Sequence, residues 1–354
     1  MSISTNKINI VNELLMQAAK TINNNSLLNG KMGMCIYFFH LARETGQELH
    51  QEFAENLIDN VIQEVSKGRT IPDFENGLAG IAWGFEYLEK NGFVEADTDI
   101  ILSDLDDQIY KFIVTTKDLP PGVLQGAMGF ILYLLSRIEG KDIHSESSDM
   151  YIFKRLLIDL INSLAENIEN RKFVLEEPLL FDVSWDLPLF LFLIGKIGGL
   201  NFYNTKLERI LDHLTPIVLS LNPRLTSNRL YILLGMESVN SQFQRTDWIH
   251  HANFLKQNIE LRDILHGEFK NKNLNLLGGL TGISLISSRL YHLINDDRFV
   301  FNKEDLEQKI ISSEYWQDLE SDELTKKNLG LLTGLAGIGI KLLELSKNNP
   351  EIIM

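Results

Sequence analysis

A short pattern, Gly-x-x-Gly followed by an apolar stretch, recurs at a nearly constant interval and limits the fold more than any other feature. It stands at Gly30-Lys31-Met32-Gly33, Gly77-Leu78-Ala79-Gly80, Gly126-Ala127-Met128-Gly129, Gly279-Leu280-Thr281-Gly282 and Gly334-Leu335-Ala336-Gly337. The spacings between successive first glycines run 47, 49, 153 and 55. The long gap is three times about 51, which leaves room for two degenerate copies. These are read at Trp185-Asp186-Leu187-Pro188, before LFLFLIG, and at Ser227-Asn228-Arg229-Leu230, before YILLGM. The chain is thus expected to hold seven repeats of about fifty residues.

Each repeat reads as a leading amphipathic helix, a loop, the Gly-x-x-Gly and a following helix. In the second repeat Phe53, Leu57, Ile58, Val61, Ile62 and Val65 fall on one helical face. Comparable leading segments are 6–20, 98–116, 150–170, 204–221, 245–261 and 303–319. The following helices are apolar around most of their circumference, the signature of a helix buried between layers. Their expected stops are Gly46, Gly92, Gly140 and Asn348. Glycines three apart at a helix start clear one face, let backbones approach, and predict an open helix N-terminus. A phosphate cradle is disfavoured, because no strand precedes the glycines and no Lys-Ser/Thr follows them. Stacked helix pairs form either an open solenoid or a closed double ring. The last repeat, LLTGLAGIGIKLLEL, is as apolar as the middle ones, which favours closure. No internal boundary interrupts residues 1–354, so one domain is expected, with KDIHSESSD (141–149) as a surface loop.

Charge and composition narrow the function. Thirty-three basic against 48 acidic residues give a net charge of −15. That balance argues against nucleic acid as the main partner and against anionic membranes. The single cysteine, Cys35, excludes an intramolecular disulfide and any structural zinc site built from two or more cysteines. It is expected to be a small buried core residue. The N-terminal stretch shows no basic region followed by an apolar core, so no signal peptide is expected. The most apolar run, Leu187–Gly195, is about half a membrane span. A cytoplasmic protein with no membrane span is the expectation.

In its seven glycine-rich repeats, and in phrases such as GLAGIAWGFEYL and GLLTGLAGIGI, the chain resembles the lanthionine synthetase C-like (LanC-like) family over residues 25–345. The resemblance implies an all-α toroid of seven helix pairs, with inner helices around a central cavity. It also implies a place in ribosomal peptide maturation. Active members add a Cys thiol to a dehydroamino acid, with a zinc ion activating the thiol. The family takes its zinc ligands from a Trp-Cys-x-Gly in the fifth repeat and a Cys-His-Gly in the sixth. In this chain the corresponding positions are Leu225, Leu277 and Gly278, and the fourth-repeat His-Gly is replaced by Ser184-Trp185. No zinc or other cofactor is therefore expected. The family also carries an Asp four residues before a repeat's first glycine. Asp73 meets that spacing in the second repeat, whereas the family has it in the third, where this chain has Gly122.

Loops entering the following helices are where polar groups are sought. Asp73 and Glu75 are the candidate catalytic pair, able to exchange protons if suitably spaced. Asp182, Ser184, Trp185, Asp186, Arg224, Asn228 and Arg229 are the candidate peptide-binding residues, the two arginines suited to a peptide carboxylate. His266 and Glu268 form an isolated His-x-Glu. Adjacent His250 and His251 point about 100° apart on a helix. His40 is expected to be a satisfied core imidazole. Three functions follow. The first is a zinc-free LanC-like scaffold that binds a precursor peptide or partner maturation enzymes. The second is an active cyclase with a non-standard site. The third is an unrelated α/α-toroid enzyme acting on carbohydrate.

Overall fold

The structure is a computed structural model, and it describes residues 3–269, 273–321 and 328–347. Asn348, the expected stop of the last helix, lies outside the described residues. Helices alone make up the regular structure among the described residues, and they fall into the seven expected pairs. The leading helices are Ile3–Ala18, Glu48–Val65, Ser103–Thr115, Ser148–Glu169, Asn204–Ser220, Thr246–Lys256 and Lys303–Ile311. The following helices are Lys31–Thr45, Leu78–Lys90, Ala127–Ile138, Asp186–Gly199, Thr226–Phe243, Leu280–Ile294 and Leu335–Ser346. No helix among the described residues is long and apolar enough to cross a membrane.

Two expected helices are broken. The segment 98–116 forms Thr98–Ile101 and Ser103–Thr115, with buried Leu102 between them. The segment 303–319 stops at Ile311 and restarts at Tyr315, whose N–H donates to Ser313 Oγ at 3.2 Å. A hydroxyl that caps a new first turn competes with helix continuation. The expected stops at Gly46, Gly92 and Gly140 all adopt the left-handed conformation, with positive φ. That is the usual way for a glycine to end a helix.

The Gly-x-x-Gly has a local cause that the second repeat shows clearly. The loop before the helix folds back over its first turn. Leu78 N–H donates to Ile71 O at 2.8 Å and Ala79 N–H to Pro72 O at 3.1 Å. The same lap closes four other repeats, from Lys31 to Asn24, Ala127 to Pro120, Leu280 to Asn273 and Leu335 to Asn328. A Cβ on Gly77 would stand 2.1 Å from Ile71 O, and one on Gly80 2.1 Å from Phe74 O. Both glycines therefore make room for the chain's own loop. The helix N-terminus is closed rather than open as the sequence suggests, because the first two orphan donors are already taken.

Contacts divide the chain into two compact lobes. One comprises Met1–Lys117, Asn271–Thr281 and Asn302–Met354; the other comprises Asp118–Lys270 and Gly282–Phe301. In the first lobe the helix Lys31–Thr45 buries every residue from Met32 to Ala42. Cys35 lies inside it as expected, its thiol against Ala54 O at 3.4 Å and its pKa pushed up by burial. His40 is satisfied by Tyr87 Oη at 2.7 Å. Burial, aided by the Arg43 and Lys347 charges, pushes its pKa down to about 3. In the second lobe Trp248 is fully enclosed and donates to Thr215 Oγ1 at 3.1 Å. Asn167, also buried, donates to Leu119 O at 3.2 Å. Both polar side chains meet the rule that buried donors find partners.

Candidate peptide-binding site

In the first lobe the candidate catalytic pair sits on the folded-back loop of the second repeat. Asp73 Oδ1 accepts Asn76 N–H at 2.7 Å, which fixes the turn into Gly77. Glu75 Oε1 accepts from Asn29 Nδ2 at 3.3 Å, and the same amide reaches Asn76 Oδ1 at 3.2 Å. Asn29 belongs to the corresponding loop of the first repeat, so Glu75 is tied to a neighbouring loop. Burial raises the Asp73 carboxyl and the nearby Glu75 charge adds to the rise, against the Asn76 and Glu75 amides. Asp73 and Glu75 thus share one loop.

The remaining candidates lie in the second lobe, around the start of the helix Thr226–Phe243. That repeat lacks the Gly-x-x-Gly, and its loop is held differently. Glu177 accepts Arg224 N–H at 2.9 Å, Leu225 N–H at 3.1 Å and Asn228 Nδ2 at 3.0 Å. Glu268 accepts Thr226 N–H, and also Ser227 N–H at 3.0 Å. Two carboxylates from distant loops thus supply what the folded-back loop supplies elsewhere, and their charge suits the positive end of the helix. Glu268 is presented by a π-turn, Ile264–Glu268, closed by Phe269 N–H to Ile264 O at 3.1 Å. The His-x-Glu of the sequence is therefore half structural: His266 is exposed while Glu268 is a cap. His251 is likewise occupied, its Nε2 2.8 Å from Leu221 O.

The candidate peptide-binding residues divide into tied and free groups. Arg229 spends its guanidinium on Pro223 O at 2.6 Å, Asn258 O at 2.8 Å and Arg224 O at 3.2 Å, which makes it a loop tie. Arg224 is exposed, and its side chain has no hydrogen bond or ion pair among the described residues. Asp182 Oδ1 accepts both the N–H and the hydroxyl of Ser184 at 2.7 Å. Asp186, buried, accepts Val174 N–H at 3.0 Å, and burial raises its carboxyl against that bond. Three buried polar atoms here lack a partner among the described residues: Trp185 Nε1, Ser227 Oγ and Asn228 Oδ1. Leaving such a group unpaired costs about 1–3 kcal/mol. Sequence reasoning missed Glu177 and the capping task of Glu268. The one available signal was the absent Gly-x-x-Gly, which required another way to satisfy the helix start.

The positions to which the resemblance assigns zinc do not fit the ion. Leu225 and Leu277 end in hydrocarbon and Gly278 has no side chain. Zinc needs thiolate, imidazole or carboxylate donors. The backbone N–H groups at these positions are hydrogen-bonded, Leu225 to Glu177, Leu277 to Leu332 O at 2.9 Å and Gly278 to Asn275 Oδ1 at 3.0 Å. No group of three or more His, Cys, Asp or Glu side chains is placed to hold a metal among the described residues.

Residues 21–179 match the model of the lanthionine synthetase C-like protein family. No curated protein matches the chain. Among solved structures, nisin cyclase is similar in fold, with a TM-score of 0.67 over 97% of this chain and 94% of that chain, at 15% identity. The all-α fold of paired helices is therefore the α/α toroid of that enzyme. Residues 21–179 are thus similar in sequence to the lanthionine synthetase C-like family, and nearly the whole chain shares the fold of nisin cyclase.

Proposed function

We propose that this protein belongs to ribosomal peptide maturation of the lanthipeptide type and acts without zinc, as a scaffold that binds a precursor peptide or a partner maturation enzyme. The observation that carries the reading is the hydrocarbon and glycine at positions 225, 277 and 278, set in loops whose backbone stays hydrogen-bonded. These loops are hydrogen-bonded and carry no side chain able to hold zinc at the three positions. Binding is assigned to the start of the fifth repeat, where Arg224 offers an uncommitted guanidinium to a peptide carboxylate. Asp182, Ser184, Trp185, Asp186 and Asn228 shape the ground beside it, and Arg229 holds the loop. Titration of the purified chain with the linear precursor peptide made in the same cell tests this. Saturable binding is expected in the presence of a chelator, weakened about tenfold by Arg224→Ala, the worth of one charge-assisted contact. No binding, or binding that appears only with added zinc, overturns the reading.

One observation favours a second reading, a cyclase with a non-standard site. Asp73 is buried enough for its carboxyl to be raised, which suits a group that delivers a proton. In that reading Asp73 protonates the carbanion left when a thiol adds to a dehydroamino acid, and Glu75 supports it.

A further inference from the structure

We infer that the tip Leu179–Leu180, on the loop before the fourth repeat's following helix, is a docking element for a folded partner protein whose apolar cleft is bordered by Lys and Arg. The connection from Glu169 to Asp186 is long, and it has no helix or strand of its own. Loops of more than about 12–15 residues without internal structure are either functional or loose. This one is pinned at both flanks of the tip. On one side Phe173 packs edge-on against Phe190, with centroids 5.2 Å apart, and Val174 N–H is held by Asp186. On the other, Phe181 packs against Tyr231 and Phe269, and Val183 O accepts Tyr231 Oη–H at 2.7 Å. Next to the tip, Glu177 grips the 224–228 loop and Pro178 O accepts Asn228 Nδ2 at 3.2 Å.

On this anchored frame Leu179 and Leu180 are 88% and 77% exposed. Each forgoes about 1.5–3 kcal/mol of burial, a cost natural surfaces accept at interaction sites. Side chains that stand this clear of their own chain form a convex knob, so the matching surface is concave. A folded cleft surrounds them, whereas an extended peptide touches only one side. Because the loop is already fixed, docking orders little new chain. Glu176 is exposed and Asp182 half-buried beside the tip, against one exposed cation, Arg224, on the loop that Glu177 grips, and the whole chain carries −15. That charge opposes a second copy of this chain and an anionic membrane, and it favours a basic rim.

The inference rests on the scaffold reading and names the element that meets a partner enzyme. To test it, a photoreactive p-benzoylphenylalanine replaces Leu179 in the full chain, and the protein captured in the producing cell is identified, with the crosslinked residue mapped. That protein is then purified and titrated with wild type, with L179S/L180S and with Glu176→Lys. The expected result is a crosslink inside an apolar cleft rimmed by Lys and Arg. Affinity falls at least tenfold for L179S/L180S, less for Glu176→Lys, and falls with added salt. Melting temperatures are expected to match, because the leucines contact little of their own chain. A crosslinked dimer of this chain, a crosslink to a precursor peptide, no adduct, or unchanged affinity of L179S/L180S overturns the inference. Precursor-peptide titration of the same variant separates the two ideas: unchanged peptide affinity with lost partner affinity leaves the peptide site standing.

Discussion

Gly77→Ala is expected to destabilise the first lobe by about 3 kcal/mol or more, or about 6–12 °C in melting temperature for a body of that size. The added methyl would meet Ile71 O at 2.1 Å and both backbone N and O of Asp73 at 2.7 Å. All three neighbours are backbone, and Ile71 O is the acceptor of Leu78 N–H, so relief requires breaking the lap that closes the helix. Overpacking against atoms that cannot rotate away has no cheap solution. Two controls separate this from a general glycine effect. Gly46 has free space around it but a positive φ. Its replacement by Ala is expected to cost about 1 kcal/mol. Gly267 has open space and no such φ. Gly267→Ala is expected to shift stability by only about 0.5 kcal/mol at most. Thermal melts of the three variants check the ranking. Equal losses at positions 46 and 77 would contradict the backbone-contact explanation.

Glu177→Ala leaves Arg224 N–H and Leu225 N–H without their acceptor and takes from Asn228 Nδ2 one of its two, Pro178 O remaining. The expected cost is about 3 kcal/mol. Glu177→Gln should lose less, because one amide oxygen still accepts while the NH2 turns a donor toward donors. Glu268→Ala orphans two amides. It is expected to cost about 2 kcal/mol. The double variant should lose less than the sum, since either loss already frees the same loop. Hydrogen exchange at Leu225 and Thr226 reads the effect locally: each amide speeds up when its own acceptor is removed. Protection unchanged in both single variants would show that the carboxylates do not hold this loop.

The two predictions mark where the sequence was informative and where it was not. Gly77 and its counterparts are visible as letters because the lap is local, and the same lap recurs in register. Helix ends at Gly46, Gly92 and Gly140 were legible for the same reason. The fifth repeat was harder, because its caps arrive from 41 to 48 residues away and from side chains in opposite directions along the chain. A Glu-Glu in a loop and a His-x-Glu carry no local sign of capping. Arg229 looked like a ligand for a carboxylate, yet its three bonds go to carbonyls brought near only by the fold. Leu102 and the 312–314 break were hidden inside continuous apolar periodicity.

The claim that this chain works by binding, without a zinc-activated thiol, is tested most directly by counting thiols. The dehydrated precursor peptide is incubated with the purified chain and excess zinc, then alkylated and weighed. Thiol addition to a dehydroamino acid leaves the mass unchanged, so each surviving thiol is revealed by one alkyl tag. The expected result is the same number of tags with and without the protein, and the same again for Asp73→Asn. Loss of tags over several turnovers per chain, abolished in Asp73→Asn or dependent on bound zinc, would contradict it.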